Sequence, residues 1–334
     1  MRAILHIGTE KTGTTSTQSF LYENCKQLLS QNVLYPTGIG GINHRFVASY
    51  GLHLDSADES MRTMGLHTQE QIDDFHDETK MRLTEQVNAS PEADLCIISS
   101  EHLHSRLKTR EQIDLIKQLL TPLFDEIEVH IHLRPQINVA ISLASTQSRV
   151  GGRIGKDFFQ KIQAGSIYYN YDMLVAAWED VFGAENIRCL AFTQTPDYLS
   201  WLAKQIDLDL SCLAAPKRTN EALDVHVMAL VNALVDSGSS QRIDFRVLDS
   251  LPVSEKLALD QATARQIQHR FEESNRSLIA RRNDLSDGQL QPDWKKFPKI
   301  GNTDIFEQKC NFANALADLV SHYNGVISGL HKKP

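Results

Sequence analysis

Residues 4–15 read Ile-Leu-His-Ile-Gly-Thr-Glu-Lys-Thr-Gly-Thr-Thr, and this stretch restricts the fold more tightly than any other. An apolar run closes on Gly8, and an amphipathic segment opens at Ser16. Between them lie a lysine, hydroxyl residues and a second glycine, Gly13. A buried strand, a tight loop and a helix N-terminus satisfy that order. Such a unit turns backbone N–H groups and the positive end of a helix toward one point, a cradle for phosphate or sulfate oxygens. The glycines permit the backbone angles that the cradle needs.

The pattern continues along the chain. Strands are expected at residues 3–8, 94–99, 127–133 and 186–191, with a short one at 33–35 ended by Pro36 and Gly38. Most are near-continuous apolar runs, as strands covered on both faces should be. Helical spacing alternates with them at 16–30, 109–120, 138–149 and 171–182. Alternation of this kind predicts an α/β, three-layer fold with a central parallel sheet of about five strands. Ligands in such sheets sit beyond the strand C-termini, where Gly8, Ser99 and Arg134 all fall. Residues 54–90 are polar, with a solvated helix over 69–87. Residues 150–155, rich in Gly, read as a flexible loop able to close on a substrate. From Glu221 the chain reads as helical, at 225–234, 254–282 and 305–323, with an irregular 283–301. The expected division is therefore a core over 1–220 and a helical extension over 221–334 packed on the same domain.

The first loop bears comparison with the Walker A pattern of a P-loop, G-x-x-x-x-G-K-[ST]. Gly8 and Gly13 have its separation, but Thr14 stands where the lysine belongs and Lys11 lies inside the loop. Lys11-Thr12-Gly13-Thr14-Thr15 resembles the 5′-phosphosulfate loop of the sulfotransferases, which use 3′-phosphoadenosine 5′-phosphosulfate (PAPS) as sulfuryl donor. A second element supports that resemblance. Arg134 ends the strand of 127–133, and Ser142 follows eight positions later on a helix. The resemblance implies that this Arg and Ser hold the donor's 3′-phosphate, chemistry suited to a guanidinium fork and a hydroxyl. Tyr171, Leu174, Trp178, Phe182-Gly183 and Asn186-Ile187 resemble the later helix–turn–strand of bacterial sulfotransferases, and Arg218-Thr219-Asn220-Glu221 looks like a further family feature. Residues 36–90 match no pattern of the family, and acceptor specificity is expected there.

The resemblance implies a P-loop-like fold and a sulfotransferase acting on a hydroxyl or amine of a small-molecule, lipid or carbohydrate acceptor. It makes Lys11 the charge that stabilises the leaving oxygen. Thr12, Gly13, Thr14, Thr15 and Ser16 would grip the donor's 5′ end, and Arg134, Ser142 and Arg218 would complete the donor contacts. An alcohol acceptor needs a proton acceptor. Glu101, after Ser99-Ser100, is the first choice, with His102, His104 and His44 as alternatives. No metal is needed for this transfer. Two other readings are a P-loop kinase, which would require a lysine after Gly13 and an Asp ending a neighbouring strand, and a nucleotide-binding protein of the same fold without turnover.

Composition sets the remaining bounds. An apolar share of 41% over 334 residues supports a packed core. A net charge of −8 argues against a nucleic-acid partner. The five cysteines, Cys25, Cys96, Cys189, Cys212 and Cys310, lie far apart in an odd number. That spacing fits neither a disulfide framework nor a zinc site, and points to a reducing compartment. His130 and His132 share one strand face without a third ligand at a telling spacing, so they read as core or surface residues. No leader or membrane span is read from the sequence; a cytoplasmic, bacterial protein is expected.

Overall fold

A computed structural model describes residues 1–215, 222–237 and 243–307. The chain runs through β1 (Arg2–Gly8), α1 (Thr14–Glu23), α2 (Cys25–Leu29) and β2 (Val33–Leu34), then α3 (Arg45–Tyr50), α4 (Glu59–Thr63) and α5 (Gln69–Asn88). Next come β3 (Leu95–Ser99), α6 (His102–Arg106), α7 (Arg110–Leu120), β4 (Glu126–Leu133), α8 (Gln136–Arg149) and α9 (Lys156–Gln160). They are followed by α10 (Tyr171–Phe182), β5 (Ile187–Ala191), α11 (Tyr198–Gln205), α12 (Val225–Asp236), α13 (Phe245–Ser250), α14 (Gln261–His269) and α15 (Glu272–Arg281).

The described residues divide into two compact units. The first takes 1–134, 164–215 and 273–290, and the second takes 135–163, 222–237, 243–272 and 291–307. Each unit interleaves segments from distant parts of the chain, whereas a cut at residue 220 follows the chain alone.

The first unit holds the sheet. Its five strands are all parallel, in the order β2-β3-β1-β4-β5, so the expected parallel sheet flanked by helices is the one observed. Alternate residues go to opposite faces. Leu5, Ile7, Cys96, Ile98, Val129 and Ile131 pack with Ile113 and Ile116 of α7 and Leu174 and Trp178 of α10. Ile4, Leu95, Ile97 and Leu190 pack with Phe20 and Leu21 of α1 and Leu199 and Leu202 of α11. The central position of β1 matters for function. The chain leaves it for β2 and β3 on one side and then crosses to β4 and β5 on the other, the reversal of strand order beside which ligands bind in open α/β sheets.

Local signals explain the element ends. Thr109 caps α7 with Gln112 in a reciprocal pair, and Thr68 and Gln71 do the same for α5. Asn170 caps α10, and Gly183 after it takes φ +89°. The single helix expected over 16–30 is two. It starts earlier, at Thr14, and breaks at Asn24, whose side chain bonds the Phe20 carbonyl and both backbone groups of Ala214. An amide occupied in that way competes with helix continuation. In unit one, α15 and the residues after it are tied down by charge. Arg282 bonds Glu179 at 2.8 Å, Asp284 at 2.6 Å and the Ile187 carbonyl at 2.6 Å, and Asp284 accepts from the Cys189 amide at 2.8 Å.

The second unit is helical among its described residues. The continuous helix expected over 254–282 is interrupted. The buried Asp224 carboxylate accepts from the amides of Ser254 and Glu255 and from the Ser254 hydroxyl, which holds that stretch out of helix. Asp260 then caps α14 through the Thr263 amide, and the chain turns again after His269. The helix expected at 305–323 lies almost wholly outside the described residues, and 303–307 form a short 3-10 turn. In the Gly-rich 150–155 loop, Ile154 is buried, and its N–H and carbonyl are both held by the Asn232 amide.

Candidate functional site

The loop after β1 is built by two residues in the left-handed region, Lys11 at φ +70° and Gly13 at φ +87°. Glycine takes that conformation freely. Lysine does not, at a cost of about 1–3 kcal/mol that the surroundings must offset. They do. Thr9 donates its hydroxyl to the His132 carbonyl at 2.8 Å, and Thr12 donates to the Thr9 carbonyl at 2.6 Å. Arg134 Nη1 donates to the Lys11 carbonyl at 2.6 Å. The Glu10 amide donates to His104 Nδ1 at 3.2 Å, so the His104 proton sits on Nε2, 2.9 Å from the Tyr168 carbonyl. Tyr168 in turn donates its hydroxyl to Glu10 Oε2 at 2.7 Å. Burial pushes the Glu10 pKa up, but the Tyr168 hydroxyl and His104 outweigh it and hold Glu10 below the usual range.

Helix α1 starts directly from this loop. Gly13 at its cap position offers no side chain, and no acid lies in the first turn. No acid of the helix itself therefore opposes its positive end, which suits an anion site. Thr14 is buried, Thr15 and Ser16 are half-buried, and Gly13 is exposed. With its hydroxyl committed to Thr9, Thr12 has its amide to offer.

Arg134 leaves the C-terminal end of β4. Its guanidinium lies 5.0 Å from the Phe192 ring centre, and its Nε is buried without a hydrogen-bond partner. No carboxylate pairs with it among the described residues, and burial pushes its pKa down. The Arg134 carbonyl accepts from the Tyr171 hydroxyl at 2.6 Å, which fixes the residue's backbone. A half-buried cation with an unpartnered Nε of this kind suits an anion.

Glu101 immediately precedes α6. A Cβ on Gly8 would stand 3.7 Å from the Glu101 Cβ and 2.7 Å from the Thr14 methyl, so Gly8 lets β3's end and α1 close on the loop. Burial raises the Glu101 pKa, while a hydrogen bond from Gln18 Nε2 at 2.6 Å opposes the rise. Glu101, Lys11 and Arg134 are thus all set on the C-terminal ends of three neighbouring strands.

The other candidates fall elsewhere. His44 is wholly buried, its Nδ1 accepts the Ser99 amide at 2.9 Å, and burial drops its pKa to about 3. A nitrogen already accepting a hydrogen bond is not available to a substrate proton. His102 Nε2 lies 3.0 Å from the Asn43 amide, and burial, with Arg45 next, lowers its pKa to about 4. His130 and His132 are buried on the sheet face that α11 covers, against Tyr198. Ser142 sits half-buried on α8 in the second unit. Arg218 lies outside the described residues. Sequence reasoning passed over Glu10, Gln18 and Tyr168. Gln18 carried a usable signal, a polar residue on the apolar face of a helix; Tyr168 carried none.

No family model matches the chain, and no curated protein does. Two solved structures are similar to it. One is a sulfotransferase from Alicyclobacillus acidocaldarius, 14% identical, spanning 82% of this chain and 98% of that one with a TM-score of 0.39. The other is the sulfotransferase domain of the Synechococcus PCC 7002 olefin synthase, 11% identical, spanning 81% and 94% with a TM-score of 0.35. The residues of the site, rather than these overlaps, support the reading that follows.

Proposed function

We propose that this chain is a sulfotransferase that moves a sulfuryl group from PAPS to a hydroxyl or amine of a small-molecule, lipid or carbohydrate acceptor. The observation that carries the reading is Arg134: a half-buried guanidinium, its Nε buried without a partner and no carboxylate beside it, hydrogen-bonded to the carbonyl of Lys11 in an anion-cradling loop. A nucleotide with phosphate groups at both ends of its ribose would use the two together. The donor supplies an activated sulfuryl group, whose S–O bond to the 5′-phosphate breaks as the acceptor oxygen or nitrogen bonds to sulfur.

The residues take these parts. Lys11 faces the charge that grows on the departing phosphate oxygen, and the amides from Thr12 through Ser16 hold the 5′ end at the helix terminus. Arg134 takes the 3′-phosphate, the role that the resemblance gives it together with Ser142; Arg218 keeps a donor role on the resemblance alone. Glu101 accepts the acceptor's proton, helped by a pKa raised through burial. The geometry favours Glu101 over His44, whose Nδ1 is engaged, and over His102. Among the described residues no helix is long and apolar enough to cross a membrane; a cytoplasmic site of action is part of this proposal, in keeping with the free thiols of Cys25, Cys96, Cys189 and Cys212.

Titration calorimetry with adenosine 3′,5′-bisphosphate (PAP), ATP and GTP tests the reading. PAP should bind tightly without magnesium. Magnesium-dependent ATP binding, with PAP inert, would replace this proposal with the kinase reading.

A further inference from the structure

Gln18 points inward from the second turn of α1 and is only 1% exposed. A primary amide on a buried helix face requires partners for its polar atoms. Its Nε2 has two, Glu101 Oε2 at 2.6 Å and Ser99 Oγ at 3.3 Å, which occupy both amide protons. An ionised carboxylate accepts only from a donor, so the amide can face Glu101 in one sense alone.

Ser99 is itself held from both ends. Its N–H donates to His44 Nδ1 at 2.9 Å, and its hydroxyl lies 2.9 Å from His6 Nδ1. Having accepted from Gln18, that hydroxyl gives its proton to His6 Nδ1, which leaves the His6 proton on Nε2. His6 is rigidly placed. It stands in register between Ser99 on β3 and His130 on β4, and it stacks on Tyr198 with ring centres 3.9 Å apart. An unbroken line of contacts therefore runs from the packed sheet through Ser99 and Gln18 to Glu101.

Resting on the reading of Glu101 as the proton acceptor, we infer that Gln18 is a positioning residue: it pins one oxygen of the Glu101 carboxylate so that the other is presented to the acceptor. The line from His6, His44 and Ser99 gives that grip its rigidity. Glu101 makes no capping bond to α6, so apart from its own backbone N–H the Gln18 amide is the group that hydrogen-bonds the carboxylate. The charged and titratable groups that act on Glu101 are Glu10, Lys11, Tyr35 and Arg45. Gln18 differs from all of them in being neutral and non-titrating, so it restrains the carboxylate without competing for its proton. His44 passes in this account from a candidate base to a support of Ser99.

The variant Gln18→Met keeps the side chain's length and removes its donor. Two readouts are needed. The first is the titration of the Glu101 carboxyl, followed by NMR in protein labelled at glutamate carboxyl carbon, with the resonance assigned by its loss in Glu101→Gln. The second is the pH profile of sulfate release from PAPS to water, together with PAP affinity by calorimetry. Gln18→Met should raise the carboxyl's titration midpoint by about one unit, as loss of a hydrogen bond to the charged form does. The acid limb of kcat should move with it, kcat should fall about 10- to 100-fold, and PAP affinity should not change. Ser99→Ala should act in the same direction with a smaller effect, and it decides the matter if Gln18→Met does not fold. An unmoved midpoint and unchanged kcat, with Glu101→Gln inactive, overturn the positioning role and leave the base standing. Full activity in Glu101→Gln overturns the base instead, and an unmoved midpoint would then remove the Gln18 grip as well.

Discussion

Replacing Arg134 by methionine separates a ligand-binding charge from a structural one. The substitution removes a half-buried cation and keeps most of the apolar stem. Two terms oppose each other in the protein without donor. The Lys11 carbonyl loses a charged hydrogen bond of 2.6 Å, a loss of about 1.5–3 kcal/mol. Against that, a guanidinium with a buried, unpartnered Nε no longer has to be kept out of water, a gain of similar size or larger. The net change in unfolding free energy should therefore stay within about 1–2 kcal/mol of zero. Donor binding has no such compensation. A desolvated phosphate left facing methionine loses about 2–4 kcal/mol, which is about 30- to 700-fold in Kd. Urea denaturation gives the first number and calorimetry with PAP gives the second. Affinity for 5′-AMP, which lacks the 3′-phosphate, should fall much less. If Arg134→Met unfolds easily while binding PAP as the parent does, the guanidinium is a structural strut and the reasoning fails.

Other outcomes follow from the same structure. Gly8→Ala puts a Cβ at φ +65° and 2.7 Å from the Thr14 methyl, so it should cost about 1–3 kcal/mol and weaken PAP binding by distorting the loop; a neutral result by thermal denaturation and calorimetry would contradict the close approach. Arg282→Ala removes the partner that Glu179 and Asp284 share, while Glu179 keeps Arg281 and Asp284 keeps the Cys189 amide, so it should destabilise the chain by about 1–3 kcal/mol, read as a lower urea midpoint. Burial lowers the His44 pKa from 6.5 to about 3, and that of His132 from 6.5 to about 4. The unfolded chain then binds more protons than the folded one across that window, so stability should fall as pH drops from 6.5 toward 4, by about 1.4 kcal/mol per pH unit for each proton withheld. Urea midpoints that stay level between those limits would rule out neutral histidines in the core.

Much of the fold is legible in short stretches of sequence because the physics there is local. Strands covered on both faces are near-continuous apolar runs, and β1, β3 and β5 could be found on that ground within a residue or so, whereas β4 is legible from the alternation of Ile127, Val129, Ile131 and Leu133 with polar residues. The phosphate-type loop is legible for the same reason, since glycine, lysine and hydroxyls must be contiguous to shape it. What escaped depends on partners far away in the chain. The break at Asn24 comes from Ala214, 190 positions on. The restraint on Glu10 comes from Tyr168, 158 positions on. His44 shows the cost of reading a residue by its neighbours: Asn43-His44-Arg45 looks like an exposed polar turn, yet the ring is buried under Tyr35 and serves Ser99. Nor does spacing reveal that Gln18 meets Glu101, because that contact exists only once α1 packs beside the end of β3.

Transfer of radiolabelled sulfate from PAPS tests the account most directly. The parent chain, offered a panel of hydroxyl and amine acceptors and water without added metal, should release PAP and label at least one product, while Lys11→Ala should slow that transfer by about 100-fold or more and still bind PAP. Contradiction would come from PAP binding and turnover that both survive loss of Lys11, or from a parent chain that leaves PAPS untouched and instead transfers the terminal phosphate of ATP.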